Sequence, residues 1–219
     1  MATPGSVVKC IAKIFEAPVG GVTEIDRALI EAGGREKGGR GRSAIRLGPR
    51  DVANLLITTA ASPLWGPTIT RARDTYLTYT SLPLQSGPIT RDVGLTALQN
   101  LPEDHTICDA VATLVASAVS GELQMALDEH VAHSSTAPIL LIGFCSPVPS
   151  ARIKIRMRKQ TLHLDYRKEP TSSAYNDSWT SPPNMSTGDL SQFREFSYRT
   201  LLALGDLLAG RVALPREVA

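Results

Sequence analysis

An α+β fold is predicted, and three features of the 219-residue sequence predict it. Apolar residues recur at helical spacing as far as about Val131. The period then changes to two: between Ala151 and Arg158, Ile153, Ile155 and Met157 alternate with Arg152, Lys154, Arg156 and Arg158. A helical stripe returns from about Leu190 to Leu208. The reading divides the chain into a helix-turn-helix-like DNA-binding domain over residues 1–61 and a dimerisation or regulatory domain over residues 62–219. The second holds a long helix, a three-stranded antiparallel sheet and a C-terminal helix.

Each element has its own warrant. Val7, Val8, Ile11, Ile14 and Phe15 make one stripe from Ser6 to Ala17, with Ser6 as cap and Pro18 and Gly20-Gly21 as the stop. A second helix runs from Val22 to Ala32 with Thr23 as cap, and Gly33-Gly34 supplies its left-handed, Schellman-type end. Two short helices joined by a glycine turn match helix-turn-helix dimensions. Glycines among the basic residues from Arg35 to Leu47 prevent a stable helix there. Pro49 opens a third helix, apolar through Val52, Ala53, Leu55, Leu56 and Ile57. Pro63 and Gly66-Pro67 mark the boundary. Thr68 to Thr80 is read as a helix, Leu82 to Ile89 as loop, and Thr90 to Asn100 as a short helix. Asp104 to Val131 is read as one long helix that Gly121 bends. The meander comprises Pro138–Cys145, Ala151–Arg158 and Thr161–Tyr166. Lys168 to Asp189, rich in Ser, Thr, Pro and Asn, is read as a long exposed loop.

Composition narrows the function classes. Aromatics make up 5%, too few for a stacking surface that binds single strands. Cys10, Cys108 and Cys145 are far apart with no Cys-x-x-Cys pair, so they read as reduced thiols and give no zinc site. No apolar run reaches a membrane span of roughly 18 residues, and no signal-peptide core is present; a cytoplasmic protein without membrane contact is expected. His130 and His133 share a helix face beside Asp128 and Glu129, but such a pair near a helix end is more often solvated than metal-bound. There is no Walker loop, no nucleophile elbow and no strand before the Gly-rich stretch. No enzyme, cofactor or metal is predicted.

The charge is local. Between Arg35 and Arg50 lie six basic residues and one acidic residue, so this segment carries 6 − 1 = +5 in a chain of net +2. Interleaved Gly and Arg suit a phosphate backbone better than a plain surface linker, the blander alternative. Arg40 and Arg42, in Arg-Gly-Arg, are the first choices for groove contacts. Arg35, Lys37, Arg46 and Arg50 are read as the surrounding basic contacts, Lys37, Arg46 and Arg50 on phosphates. Thr23, Glu24 and Arg27 would face a major groove if the second helix reads bases; for Arg27 the alternative is a surface pair with Glu31. Arg152, Lys154, Arg156 and Arg158 form a possible second basic surface, although a solvated outer face or a charge-protected edge is the preferred account.

The stretch from Leu29 to Ile57 resembles a group of phage and prophage proteins from alphaproteobacteria, with helix-turn-helix, winged-helix-like character. The matching residues are Glu31-Ala32-Gly33, Gly38-Gly39-Arg40-Gly41-Arg42, and Pro49, Asp51, Ala53 and Leu55-Leu56. The resemblance covers about the first quarter of the chain and implies a phage-linked regulator of phage or prophage promoters. Gly34 departs from it, standing where an apolar residue would begin a wing strand.

The expected function is therefore a transcriptional regulator that contacts double-stranded DNA through a helix and the Gly-Arg loop. A homodimer on two half-sites is expected, with RNA polymerase or another regulator as a further partner. Two alternatives stand beside it. One is a phage structural or assembly protein that binds DNA without sequence preference. The other is an adaptor or inhibitor that uses its basic surfaces on an acidic protein.

Overall fold

The computed structural model describes residues 2–38, 45–62, 68–87, 92–168 and 192–211, with backbone alone at 68–70. Eight helices lie against a five-stranded antiparallel sheet among the described residues.

The helical layer begins with α1 (Pro4–Ile14), and Pro4 takes the first turn, where its missing N–H costs nothing. The cap is Thr3 and not Ser6: the Ser6 N–H donates to the Thr3 hydroxyl and the Thr3 N–H to the Ser6 hydroxyl, a reciprocal box. α2 (Val19–Glu31) starts three residues before the expected Val22 and takes Gly20 and Gly21 into its first turn. Each glycine costs a helix about 1 kcal/mol, and burial of Val22, Ile25, Ala28 and Leu29 offsets it. The helix ends in the predicted Schellman stop. Gly33 has φ +77°, its N–H donates to Ile30 O, and the Gly34 N–H donates to Leu29 O at 2.8 Å.

α3 (Pro49–Ala61) is buried along almost its whole length and packs on α2, α4 (Thr68–Tyr79), α6 (Ile107–Ser120) and the sheet. One apolar core runs from Ala2 to Leu208 through α3. The expected boundary at 61/62 therefore crosses this core and does not separate two of them. The expected long helix is two helices. α6 (Ile107–Ser120) and α7 (Glu122–His133) meet at 79°, because Gly121 at φ +91° caps α6 in the left-handed conformation. No single described helix is long and apolar enough to cross a membrane. The predicted helix at Thr90–Asn100 is reduced to α5 (Thr96–Gln99).

The three-stranded meander is the middle of a larger sheet. β2 (Ile139–Ser146), β3 (Ser150–Met157) and β4 (Gln160–Arg167) pair as expected, and two edge strands extend them. β1 (Leu84–Ser86), expected to be loop, pairs with β4. β5 (Gln192–Ser197), expected to begin the last helix, pairs with β2. The order is β1-β4-β3-β2-β5, so β2 to β5 form a Greek key in which the fourth strand returns beside the first. Most of the predicted Lys168–Asp189 loop lies outside the described residues. Alternation puts Leu140, Ile142, Phe144, Ile153, Ile155, Leu162, Leu164 and Tyr166 on the helix-covered face. The opposite face carries Arg152, Lys154, Arg156, His163 and Phe193.

α8 (Tyr198–Ala209) closes the helical layer. Its Leu201, Leu204 and Leu208 are buried within the chain, against α6, α1 and the sheet. That apolar face, expected either to cover the sheet or to dimerise, is covered in the monomer. At the α6/α8 crossing a Cβ on Gly205 would lie 2.6 Å from Ala118 Cβ, so only glycine permits this approach.

Candidate nucleic-acid interface

The Gly-Arg segment stands on a fixed stem. Asp26 projects from the buried side of α2 and is 7% exposed. It receives Arg35, itself 9% exposed, through a two-pronged contact: Nε donates to Oδ1 at 2.6 Å and Nη2 to Oδ2. Arg35 Nη1 also donates to Glu36 O at 2.9 Å. An ion pair taken out of water must satisfy its donors in this way. Gly34 lies beneath the Tyr76 ring, where an added Cβ would be 2.8 Å from Cζ. Close approach explains the glycine at the position where a wing strand would begin. The Asn54 amide donates to Gly34 O at 2.7 Å, and the Cys108 thiol donates to Asn54 Oδ1 at 3.0 Å.

The other end of the segment is held as well. Leu47 is buried and its N–H donates to Ala2 O at 3.3 Å. The Gly48 N–H donates to Asp51 Oδ2 at 2.9 Å. Gly38 and Ile45, which flank residues 39–44, touch: a Cβ on Gly38 would be 3.4 Å from Ile45 N. Beside the stem is a hollow of about 500 Å³ lined by Gly34, Glu36, Arg50, Asp51, Asn54 and Tyr76, among others.

Comparisons of the chain with protein families, curated proteins and solved structures gave no match.

The predicted residues fall into three groups. Arg35 is a correction: its guanidinium is buried on Asp26 and cannot meet a phosphate. Arg50 is exposed but donates through Nη1 to Asp109 at 2.7 Å, a hydrogen bond that raises its pKa further. Lys37 and Arg46 are exposed at the two ends of the loop, while Arg40 and Arg42 lie outside the described residues. On α2, Thr23 does not cap the helix; its hydroxyl donates to Val19 O at 2.8 Å. Arg27 is exposed and Glu24 half-buried, and with Gly20 and Glu31 they form a stripe at helical spacing along the open side of α2.

The second basic surface holds three of its four predicted members. Arg152 pairs across the strands with Asp165 at 2.7 Å. Lys154 and Arg156 face outward with it. Arg158 does not: at φ +49° it belongs to the β3–β4 turn, where it clamps Asp92 at 3.1 Å and Glu129 at 2.5 Å.

Two buried polar features were missed from sequence. His105 bridges Pro102 O and the Tyr166 hydroxyl, at 2.7 and 2.8 Å. His130 accepts the Arg158 N–H at Nδ1 and meets Thr136 O through Nε2 at 2.8 Å, so both ring nitrogens are engaged. No group of three or more metal-ligating side chains occurs among the described residues. The signal for the Asp26–Arg35 pair was present in the sequence. Asp26 follows Ile25 on an otherwise apolar stripe, and a buried carboxylate requires a cation.

Proposed function

We propose that this protein is a DNA-binding regulator that grips duplex DNA through the Gly-Arg segment, with the open stripe of α2 beside it. One observation supports this most: both described ends of the segment are anchored to the core, so its cations are presented from a rigid base. A plain linker has no use for a buried ion pair at its root. Setting aside the pairs of Arg35 with Asp26 and Arg50 with Asp109 leaves 5 − 2 = +3 on the segment. The α2 stripe of Glu24, Arg27 and Glu31 sums to −1, so the loop must supply the attraction to phosphate and α2 only discrimination. A link to phage or prophage promoters, and binding as a homodimer, belong to the same proposal.

Fluorescence anisotropy on genomic duplex fragments across a salt series tests it, with the intact protein beside Arg40→Ala/Arg42→Ala. One fragment bound well above the rest, and lost by the variant, supports the regulator. Equal binding of all fragments with a steep salt slope favours a packaging or architectural role. Absence of binding at low salt removes DNA and leaves an acidic protein partner.

A further inference from the structure

A second hollow has a volume of about 450 Å³, within the range of small-molecule sites of about 300–1,000 Å³. It opens between the C-terminus of α7 and the β3–β4 hairpin. Its lining contains Arg156, Lys159 and His133 with the hydroxyl-bearing Ser135, Thr136 and Thr161, and no carboxylate. The nearest acid in sequence, Glu129, is bound to Arg158. We propose that this pocket binds a phosphate-bearing small molecule through its oxyanion, independently of the DNA reading.

Three observations carry the assignment. Arg156 Nε is buried and has no acceptor among the described residues, although Nη2 of the same side chain donates to Ala137 O at 3.2 Å. A buried cationic N–H without a partner is rare and calls for a missing acceptor. Lys159 stands in the left-handed region at φ +60°, next to Arg158 at φ +49°. Turns of this kind favour Asn or Gly at both positions, and the chain places two cations there. The wall opposite is held in place: Thr136 O meets His130, Ala137 O meets Arg156, and the Ser134 and Thr136 hydroxyls are 2.9 Å apart. The carbonyl end of α7 opposes an anion, and His133 shields it, its Nδ1 lying 2.9 Å from Glu129 O. A fixed Arg with neighbouring ammonium and hydroxyl donors is the donor set that tetrahedral oxyanions take.

Isothermal calorimetry and thermal melting with inorganic phosphate at constant ionic strength test this, with sulfate as isostere and chloride as control. Arg156→Gln removes the central cation. Lys159→Gly removes the second cation while relaxing a strained φ, so its folding is secure. Phosphate is expected to raise the melting temperature of the wild-type protein, and each variant to bind about tenfold or more weakly. No heat and no melting shift with wild-type protein would overturn the proposal, as would equal affinity in Lys159→Gly. Weaker duplex binding by both variants, with no response to free phosphate, would reassign the pocket to a nucleic-acid backbone phosphate and equally overturn it.

Discussion

Replacing Arg35 by Ala separates two roles that charge counting confuses. As a phosphate contact, Arg35 would contribute to DNA affinity and little to folding. As the buried partner of Asp26, it should do the reverse. The pair is 7% and 9% exposed and doubly hydrogen-bonded, so removing the cation leaves a carboxylate stranded in the interior. Breaking a buried pair from one side costs about 3–5 kcal/mol, against a total stability of about 5–15 kcal/mol. With a urea m-value of about 3 kcal/mol/M for a chain of this size, the unfolding midpoint should fall by about 1–1.7 M. Asp26→Leu/Arg35→Met removes both charges and should return to within about 1 kcal/mol of wild type. Urea denaturation followed by circular dichroism measures all three. The double variant should also keep the salt dependence of DNA binding. A loss below about 1 kcal/mol for Arg35→Ala, together with a salt slope smaller by about 1, would refute the stem and restore Arg35 as a phosphate contact.

Four further outcomes are expected. Burial pushes the Cys108 thiol up to about 11, and burial also raises Cys10 and Cys145, which are only half-buried; alkylation at neutral pH should therefore label Cys10 and Cys145 slowly and Cys108 only on unfolding, as read by mass spectrometry. Burial opposes ionisation of Asp109, but hydrogen bonds from the Thr106 hydroxyl and N–H and from Arg50 outweigh it and hold its pKa below the ordinary value. Its contribution is thus present above about pH 4 and lost as the pH falls through the lowered value, so Asp109→Asn should flatten the acid limb of the stability profile. Gly205→Ala should cost about 2–3 kcal/mol, because the added carbon meets the α6 backbone 2.7 Å away. Gly143→Ala should cost about 1 kcal/mol or less by chemical denaturation, because its neighbour is the exposed Phe193 ring, which can swing aside.

The legible parts of the fold were those with one repeating period. β3 alternates charge and apolar side chain without a break, and its register with β2 and β4 follows from that. β5 was not legible because Phe193 and Phe196 are three apart, which is helical spacing. In the strand they point to opposite faces, one exposed and one buried. β1 has three residues and no pattern of its own; it exists because β4 offers an open edge. Gly121 marked a bend between α6 and α7, but its size was hidden because the apolar stripe continues through the glycine, and periodicity cannot report a 79° change of axis.

Charge was legible as position but not as availability. Seven cations were read along α2 and the Gly-Arg segment, and seven phosphate contacts on B-DNA would give a log–log salt slope of about −6. Two of the seven are held by carboxylates, Arg35 by Asp26 of α2 and Arg50 by Asp109 of α6. Arg27 sits between Glu24 and Glu31 on α2. The DNA reading then rests on Lys37, Arg40, Arg42 and Arg46, and four contacts give a slope of about −3 to −4. The slope therefore measures how many arginines the fold has withdrawn from DNA. A value near −5 would mean that the Arg50–Asp109 pair opens and α2 lies along the backbone, adding Arg50 and Arg27 to the four and giving α2 a phosphate-gripping role in place of base discrimination. A value near −3 to −4, falling by about 2 in Arg40→Ala/Arg42→Ala, would confine the grip to the anchored loop.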